Sequence, residues 1–158
     1  MRNQAHTSSK TAKAAPQQGG ELDAITLLTR DHQEVKAMFE QYEGLGERAH
    51  TAKQQLATQI CAALIRHATV EEELFYPAVY ATAEDAEDLV DEALVEHAAA
   101  KKLIMQLLAL DPGDDMYDAI VKVLSEQIEH HVQEEEGELF PKVRRAKLDL
   151  VAIGKAIE

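Results

Sequence analysis

His-x-x-x-Glu occurs twice in this chain, as His67…Glu71 and His131…Glu135, with the two copies 64 residues apart. Each copy has a single histidine upstream at nearly the same remove. His32 lies 35 residues before His67, and His97 lies 34 before His131. On an α-helix, side chains four apart share a face, so each motif aims an imidazole and a carboxylate at one point. Imidazole with carboxylate is a donor set for metals of borderline hardness, iron, manganese or zinc. The six donors His32, His67, Glu71, His97, His131 and Glu135 suit two ions better than one. Seven histidines in 158 residues give one such motif by chance readily, but not two in register.

Helices must carry these donors, and the apolar pattern supplies them. From Glu21 the period is helical: Leu27, Leu28, Val35, Met38, Phe39 and Tyr42 recur at three- and four-residue steps, with His32 on the same stripe. Gly44-Leu45-Gly46 ends that helix. A second begins near Thr51, its expected N-cap, and runs through Leu56, Ile60, Leu64, His67, Glu71 and Leu74 at least to Pro77. A third starts around Glu84, carries Leu89, Ala93, Leu94, His97, Ile104 and Leu107, and stops at the turn Asp111-Pro112-Gly113. Asp114 or Asp115 is the expected cap of a fourth, with Ile120, Leu124, Ile128, His131, Glu135 and Leu139 in one register. Pro141 should end or bend it. A short amphipathic helix, LDLVAIGKAIE, closes the chain.

The fold class is therefore all-α, an up-down-up-down four-helix bundle with a short C-terminal helix. Each long helix holds its histidine near mid-length, so an antiparallel bundle brings all four to one layer. A histidine and a glutamate within an apolar stripe need a partner, because burying either alone is costly. The halves also repeat: HATVEEELFYP (67–77) aligns with HVQEEEGELFP (131–141), and DHQEVKAMF with EHAAAKKLI. Residues 1–20 are Ser-, Thr-, Gln- and Gly-rich without apolar periodicity and read as a disordered tail, His6 included, ahead of a domain at 21–158.

Composition excludes several classes. Aromatics are 4% and Trp is absent, against a sheet protein. No apolar run reaches a membrane span, and the N-terminus lacks a secretory core. The single cysteine, Cys61, fits a reducing, cytoplasmic setting and reads as a small helix residue. The net charge is −13, and the basic residues Arg2, Lys10 and Lys13 lie in the tail. The remainder is near −16, with 13 basic against 29 acidic residues. Such a surface repels phosphate backbones, which argues against nucleic acid.

LLTRDHQEVKAMFEQYE (27–43), HATVEEELFYP, HHVQEEEGELFPKV (130–143) and VAIGKAIE (151–158) together resemble the hemerythrin-like family, the HHE cation-binding domains. The resemblance implies a bundle holding a non-haem di-iron centre with an oxo or hydroxo bridge, ligated by His32, His67, Glu71, His97, His131 and Glu135. Oxygen-carrying members use five histidines and a His-x-x-x-x-Asp segment, whereas this chain has His-x-x-x-Glu in both halves. That departure argues against simple reversible oxygen carriage. The expected ligand is O2, NO or peroxide, bound for sensing, scavenging or storage. The alternatives are catalase- or peroxidase-like turnover and iron donation akin to iron–sulfur cluster repair, although repair proteins carry a cysteine in an N-terminal segment that this tail lacks. Any sensing calls for a separate signalling or redox partner.

Two ferric ions outweigh two glutamates, so a further anion is expected, and the phenols of Tyr76 and Tyr42 are candidates beside a solvent-derived bridge. Phe140 at the place matching Tyr76 favours instead a core tyrosine bonded to a neighbour. Glu72 and Glu136, each following a motif glutamate, are placed either to hydrogen-bond an imidazole or to face solvent. Asp31 is placed to hydrogen-bond an imidazole but reads more readily as an exposed acid, and Glu134 reads as surface charge. His130 points about 100° from His131 and reads as a surface residue or one that supports a ligand from outside, and His50 as a solvated loop residue.

Overall fold

A computed structural model describes residues 22–158. The tail expected at 1–20 lies outside them. Seven helical segments follow: α1 (Ala24–Glu43), α2 (His50–Val70), α3 (Tyr76–Thr82), α4 (Glu87–Leu108), α5 (Tyr117–Glu134), α6 (Phe140–Arg145) and α7 (Leu150–Ile157). A one-turn 3₁₀ segment, Glu84–Ala86, precedes α4. Two π-turns, Glu71–Phe75 and Glu135–Leu139, join α2 to α3 and α5 to α6 without a break. The architecture is four long rods: α1, α2–α3, α4 and α5–α6. Each packs on the next around the bundle, α1 on α2, α2 on α4, α4 on α5, and α5 back on α1. Short connections between packed neighbours make them antiparallel.

The π-turns show why the second helix passes Pro77 and why Pro141 does not end the fourth. Proline lacks an N–H, and its ring collides with the carbonyl four residues back. Widening the preceding turn relieves that collision while the helix continues. The bonds become Tyr76 N–H to Glu71 O and Phe140 N–H to Glu135 O, five residues apart. The register slips with them. Leu74, expected on the buried stripe, is exposed, and Phe75 is buried in its place.

Caps also differ from expectation. Asp23 caps α1, its Oδ1 accepting from Thr26 N at 2.8 Å. Thr51 is no cap, because α2 already begins at His50. His50 is not a free loop residue either, for its Nδ1 meets Pro112 O at 3.0 Å. That contact ties the start of α2 to the turn before α5. Asp114 accepts from Met116 N at 3.0 Å, stiffening that turn, while α5 starts one residue later without a side-chain cap.

Two apolar clusters fill the bundle. One gathers Val35, Phe39, Leu56, Ile60, Leu64, Ile104, Leu107, Val121 and Leu124. The other gathers Leu28, Phe75, Tyr76, Val79, Val90, Leu139, Phe140 and Val143. The sequence positions of His32, His67, His97 and His131 fall between these clusters on every rod. Lys53 is only 4% exposed, and its Nζ sits 2.8 Å from Asp118 Oδ2. The Tyr42 hydroxyl donates to the other oxygen at 2.7 Å. Burial pushes the Cys61 thiol up to about 11, so it stays protonated.

Helix α7 packs on α1 and on the π-turn Glu71–Phe75. Its Gly154 fits because it has no side chain: a Cβ there would lie 2.3 Å from Leu22 O and 3.1 Å from Ala24 N. Backbone atoms cannot swing aside. Gly154→Ala should therefore destabilise by about 1–3 kcal/mol, the usual cost of overpacking, read from denaturant unfolding. A wild-type midpoint would mean that α7 does not dock on α1.

Candidate metal centre

The structure brings all six expected donors into one buried layer. Glu71 is 0% and Glu135 2% exposed, and the four histidines are buried as well. The donors fall into two groups, with ligand atoms within 4.8 Å of one another in each: His32, His67, Glu71 and Glu135, then Glu71, His97 and His131. Glu71 belongs to both. Its Oε1 lies 3.1 Å from His67 Nε2, and its Oε2 lies 3.2 Å from His97 Nε2. Glu135 also reaches both sides, with Oε2 3.2 Å from His32 Nε2 and 3.5 Å from His131 Nε2.

Outside this layer, every imidazole is gripped at Nδ1 by a carboxylate. His67 meets Asp31 at 3.2 Å, His97 meets Glu72 at 2.9 Å, His131 meets Glu96 at 2.7 Å and His32 meets Glu136 at 2.8 Å. The four contacts close a ring around the bundle, α1 to α2, the first π-turn to α4, α4 to α5, and the second π-turn to α1. Sequence reasoning left Glu72 and Glu136 open and rated Asp31 as a surface acid. It missed Glu96. The internal repeat held that signal, since Asp31-His32 matches Glu96-His97.

The ring fixes the chemistry inside. A carboxylate only accepts, so each ring nitrogen facing one carries the hydrogen, which leaves a lone pair at Nε2. Yet His32 Nε2 faces His67 Nε2 at 3.0 Å, and His97 Nε2 faces His131 Nε2 at 3.2 Å. Facing lone pairs repel unless a cation lies between them. Glu71 Oε1 and Glu135 Oε2, fully buried, have no hydrogen-bond partner among the described residues. Such orphaned acceptors beside facing imidazoles are what a metal ion satisfies.

With protein groups alone, a proton relieves the repulsion. Burial by itself would lower His67, but the charge of Glu71 and the Asp31 hydrogen bond outweigh it and push His67 up to about 10. His131 is raised for the same kind of reason, with Glu96 the leading partner against burial. Glu71 is held well below the carboxylate range, since His67, His97 and His131 together overcome its burial. A cation must displace the proton on His67. Metal uptake at neutral pH should thus release protons into weakly buffered solution, and apparent affinity should climb as pH rises toward about 10. In the metal-free chain the sign reverses. The stability lent by that proton is complete below the unfolded value of 6.5 and is lost as pH rises through about 10. Uptake without proton release would contradict this account.

Tyr76 also enters the layer, and the π-turn is why. In an α-helix the fifth residue on is rotated about 140° from the first, whereas the wider turn returns it to the same face. The Tyr76 hydroxyl donates to Glu135 Oε1 at 2.7 Å and lies 3.2 Å from Glu71 Oε2 and 3.4 Å from His97 Nε2. Burial, then the charges of Glu71 and Glu135, raise its pKa, so the phenol keeps its proton. Phe140, at the equivalent place, instead stacks on His32 with ring centroids 5.9 Å apart. Tyr42, the other phenol considered, is not at the centre, because it is spent on Asp118. His130 is exposed, as expected.

A buried histidine–carboxylate layer in a four-helix bundle defines a metal-binding protein. Residues 23–143 match the hemerythrin HHE cation binding domain, and the chain belongs to that family. A crystal structure of a hemerythrin HHE cation binding domain-containing protein from Mycobacterium kansasii shares the fold, with TM-score 0.72 and 22% identity over 86% of this chain and 83% of that one. A DNA nickase of Nostoc sp. is 28% identical over 126 residues, 78% of this chain. The chain spans 34% of that protein's length. Among the described residues no helix is long and apolar enough to cross a membrane.

Proposed function

We propose that His32, His67, Glu71, His97, His131 and Glu135 hold two iron ions and that the protein binds or reacts with a small oxidant there: O2, NO or peroxide. The observation that carries this reading is Glu71, which turns one oxygen to each histidine pair, the arrangement of a carboxylate shared by two ions. A donor set of imidazole and carboxylate without thiolate accommodates iron, and the likeness to the hemerythrin HHE domain favours iron over manganese or zinc. Bound iron supplies the redox chemistry. The chain's own groups do the rest: the outer carboxylates orient the imidazoles, and Tyr76 holds a proton at Glu135.

A cleft of about 430 Å³ between α1 and α5, with His32 and Glu136 in its wall, gives a small ligand an approach. Peroxide turnover is favoured by one further observation, the Tyr76 hydroxyl held at Glu135, since a fixed hydrogen-bond donor inside the layer would orient and stabilise a reacting oxygen without giving up its proton. Nothing at the centre calls for a nucleic acid, and the net charge of −13 opposes one.

The test is metal content with visible absorption of fresh protein, before and after reduction and after exposure to O2, NO and peroxide. About two irons per chain with near-ultraviolet charge-transfer bands support the reading, and the gas or oxidant that changes the spectrum selects the ligand. Protein that stays colourless and metal-free after reconstitution with ferrous iron overturns it.

A further inference from the structure

A third group of metal donors lies on the surface, apart from the buried layer. Glu96 of α4 and His130 and Glu134 of α5 bring ligand atoms within 4.8 Å of one another. His130 Nε2 is 3.2 Å from Glu134 Oε1 and 3.5 Å from Glu96 Oε1. The histidine and Glu134 stand four apart on one helix, the chelating spacing of the buried motifs repeated one residue earlier. His130 is 61% exposed, so water and ions reach it.

Two features separate this cluster from an ordinary ion pair. First, two of the other three ring carboxylates have a permanent cation nearby, while Glu136, like Glu96, meets only histidine among the described residues. Glu72 takes Lys101 at 2.7 Å through both oxygens, and Asp31 feels Arg66. Glu96 pairs only with histidines among the described residues. Second, a small hollow beside it is lined by Glu96, Glu134, His131 and Glu135 between Leu89 and Leu139. Glu135, 2% exposed, has an Oε2 with no hydrogen-bond partner among the described residues. Two of the surface donors thus share one hollow with two of the buried ones.

We propose that Glu96, His130 and Glu134 form an exposed divalent-cation site that feeds the buried donors. The feeding role rests on the di-iron reading; the surface site does not. Glu96 is the link, because its Oε1 faces His130 while its Oε2 accepts from His131 Nδ1 at 2.7 Å. A cation docked outside is thus one carboxylate away from a buried imidazole.

The full chain, loaded with iron and cleared of loose metal, is titrated with Mn²⁺ and free Mn²⁺ is followed by electron paramagnetic resonance. One Mn²⁺ per chain should bind. Its affinity should fall by at least about tenfold, the lower bound for losing even an outer partner, in His130→Ala and in Glu134→Gln. Iron content should be equal in all three proteins. Mn²⁺ binding that is absent from the wild type, or unchanged in His130→Ala, overturns the site. In a second arm, metal-free chain is mixed with Fe²⁺ without oxygen; His130→Ala should fill more slowly to the same final content. Equal filling rates overturn the feeding role. A wild type that takes up no iron would instead refute the di-iron reading, and the Mn²⁺ titration would still judge the surface site. Glu96 is left unchanged throughout, since it also holds His131.

Discussion

Glu71→Gln should strip the protein of both metal ions together, whereas His131→Ala should cost mainly one. Glutamine has nearly the volume of glutamate, so the packing of a fully buried side chain is kept. What is lost is the charge, and one oxygen becomes an N–H₂ that points a hydrogen at a histidine pair. Because Glu71 sits 3.1 Å from His67 and 3.2 Å from His97 through different oxygens, both groups of donors fail. Bound ions stabilise by about 4 kcal/mol when free metal is a thousandfold above Kd. Losing that should lower the melting temperature of metal-loaded protein by on the order of ten degrees, and the metal-free melt at neutral pH should also fall, because the His67 proton loses its main carboxylate partner. The check is metal analysis with paired thermal melts. Two ions retained with an unaltered spectrum would remove Glu71 from its shared position.

Tyr76→Phe separates chemistry from assembly. The hydroxyl is the one donor to Glu135 Oε1 among the described residues, and a hydrogen bond to a buried charged acceptor is worth about 1.5–3 kcal/mol. Stability should fall by that amount. If the phenol hydrogen-bonds the reacting oxygen during peroxide turnover, the rate should drop about a hundredfold with iron content unchanged. Iron lost in step with the rate would make the oxygen a ligand rather than a hydrogen-bond donor. A rate equal to wild type would take Tyr76 out of the chemistry.

The six buried donors were legible because two independent signals coincide on them, residue type and apolar register. His67 and Glu71 lie on the same stripe as Leu64 and Ile60, and core positions of that polarity have few explanations. What escaped was set by contacts between distant segments. Nothing local marks Lys53 as buried, since its partner Asp118 is 65 residues away on α5. Tyr42 stood as the weaker candidate beside Tyr76, and the same carboxylate claims it. The π-turns escaped because proline marks an end or a bend without saying how the turn before it adjusts, although both prolines fall ten residues after a motif histidine. That slip moved Leu74 out of the core and carried Tyr76 into it. Glu96 escaped for a simpler reason: the repeat was applied to the histidines and not to the acids beside them.

The closed circuit of carboxylate-to-imidazole contacts works like the hoop on a barrel. Each rod is fastened to both neighbours at the same height, through one side chain it offers and one it receives. Such a hoop needs no metal to close, because every link is between groups of the chain, and apolar packing lies above and below it. The protein is then a ready-made socket rather than a chain that its metal must fold. Chelation should leave helical circular dichroism intact, and reloading should proceed at the speed of ion delivery rather than of folding.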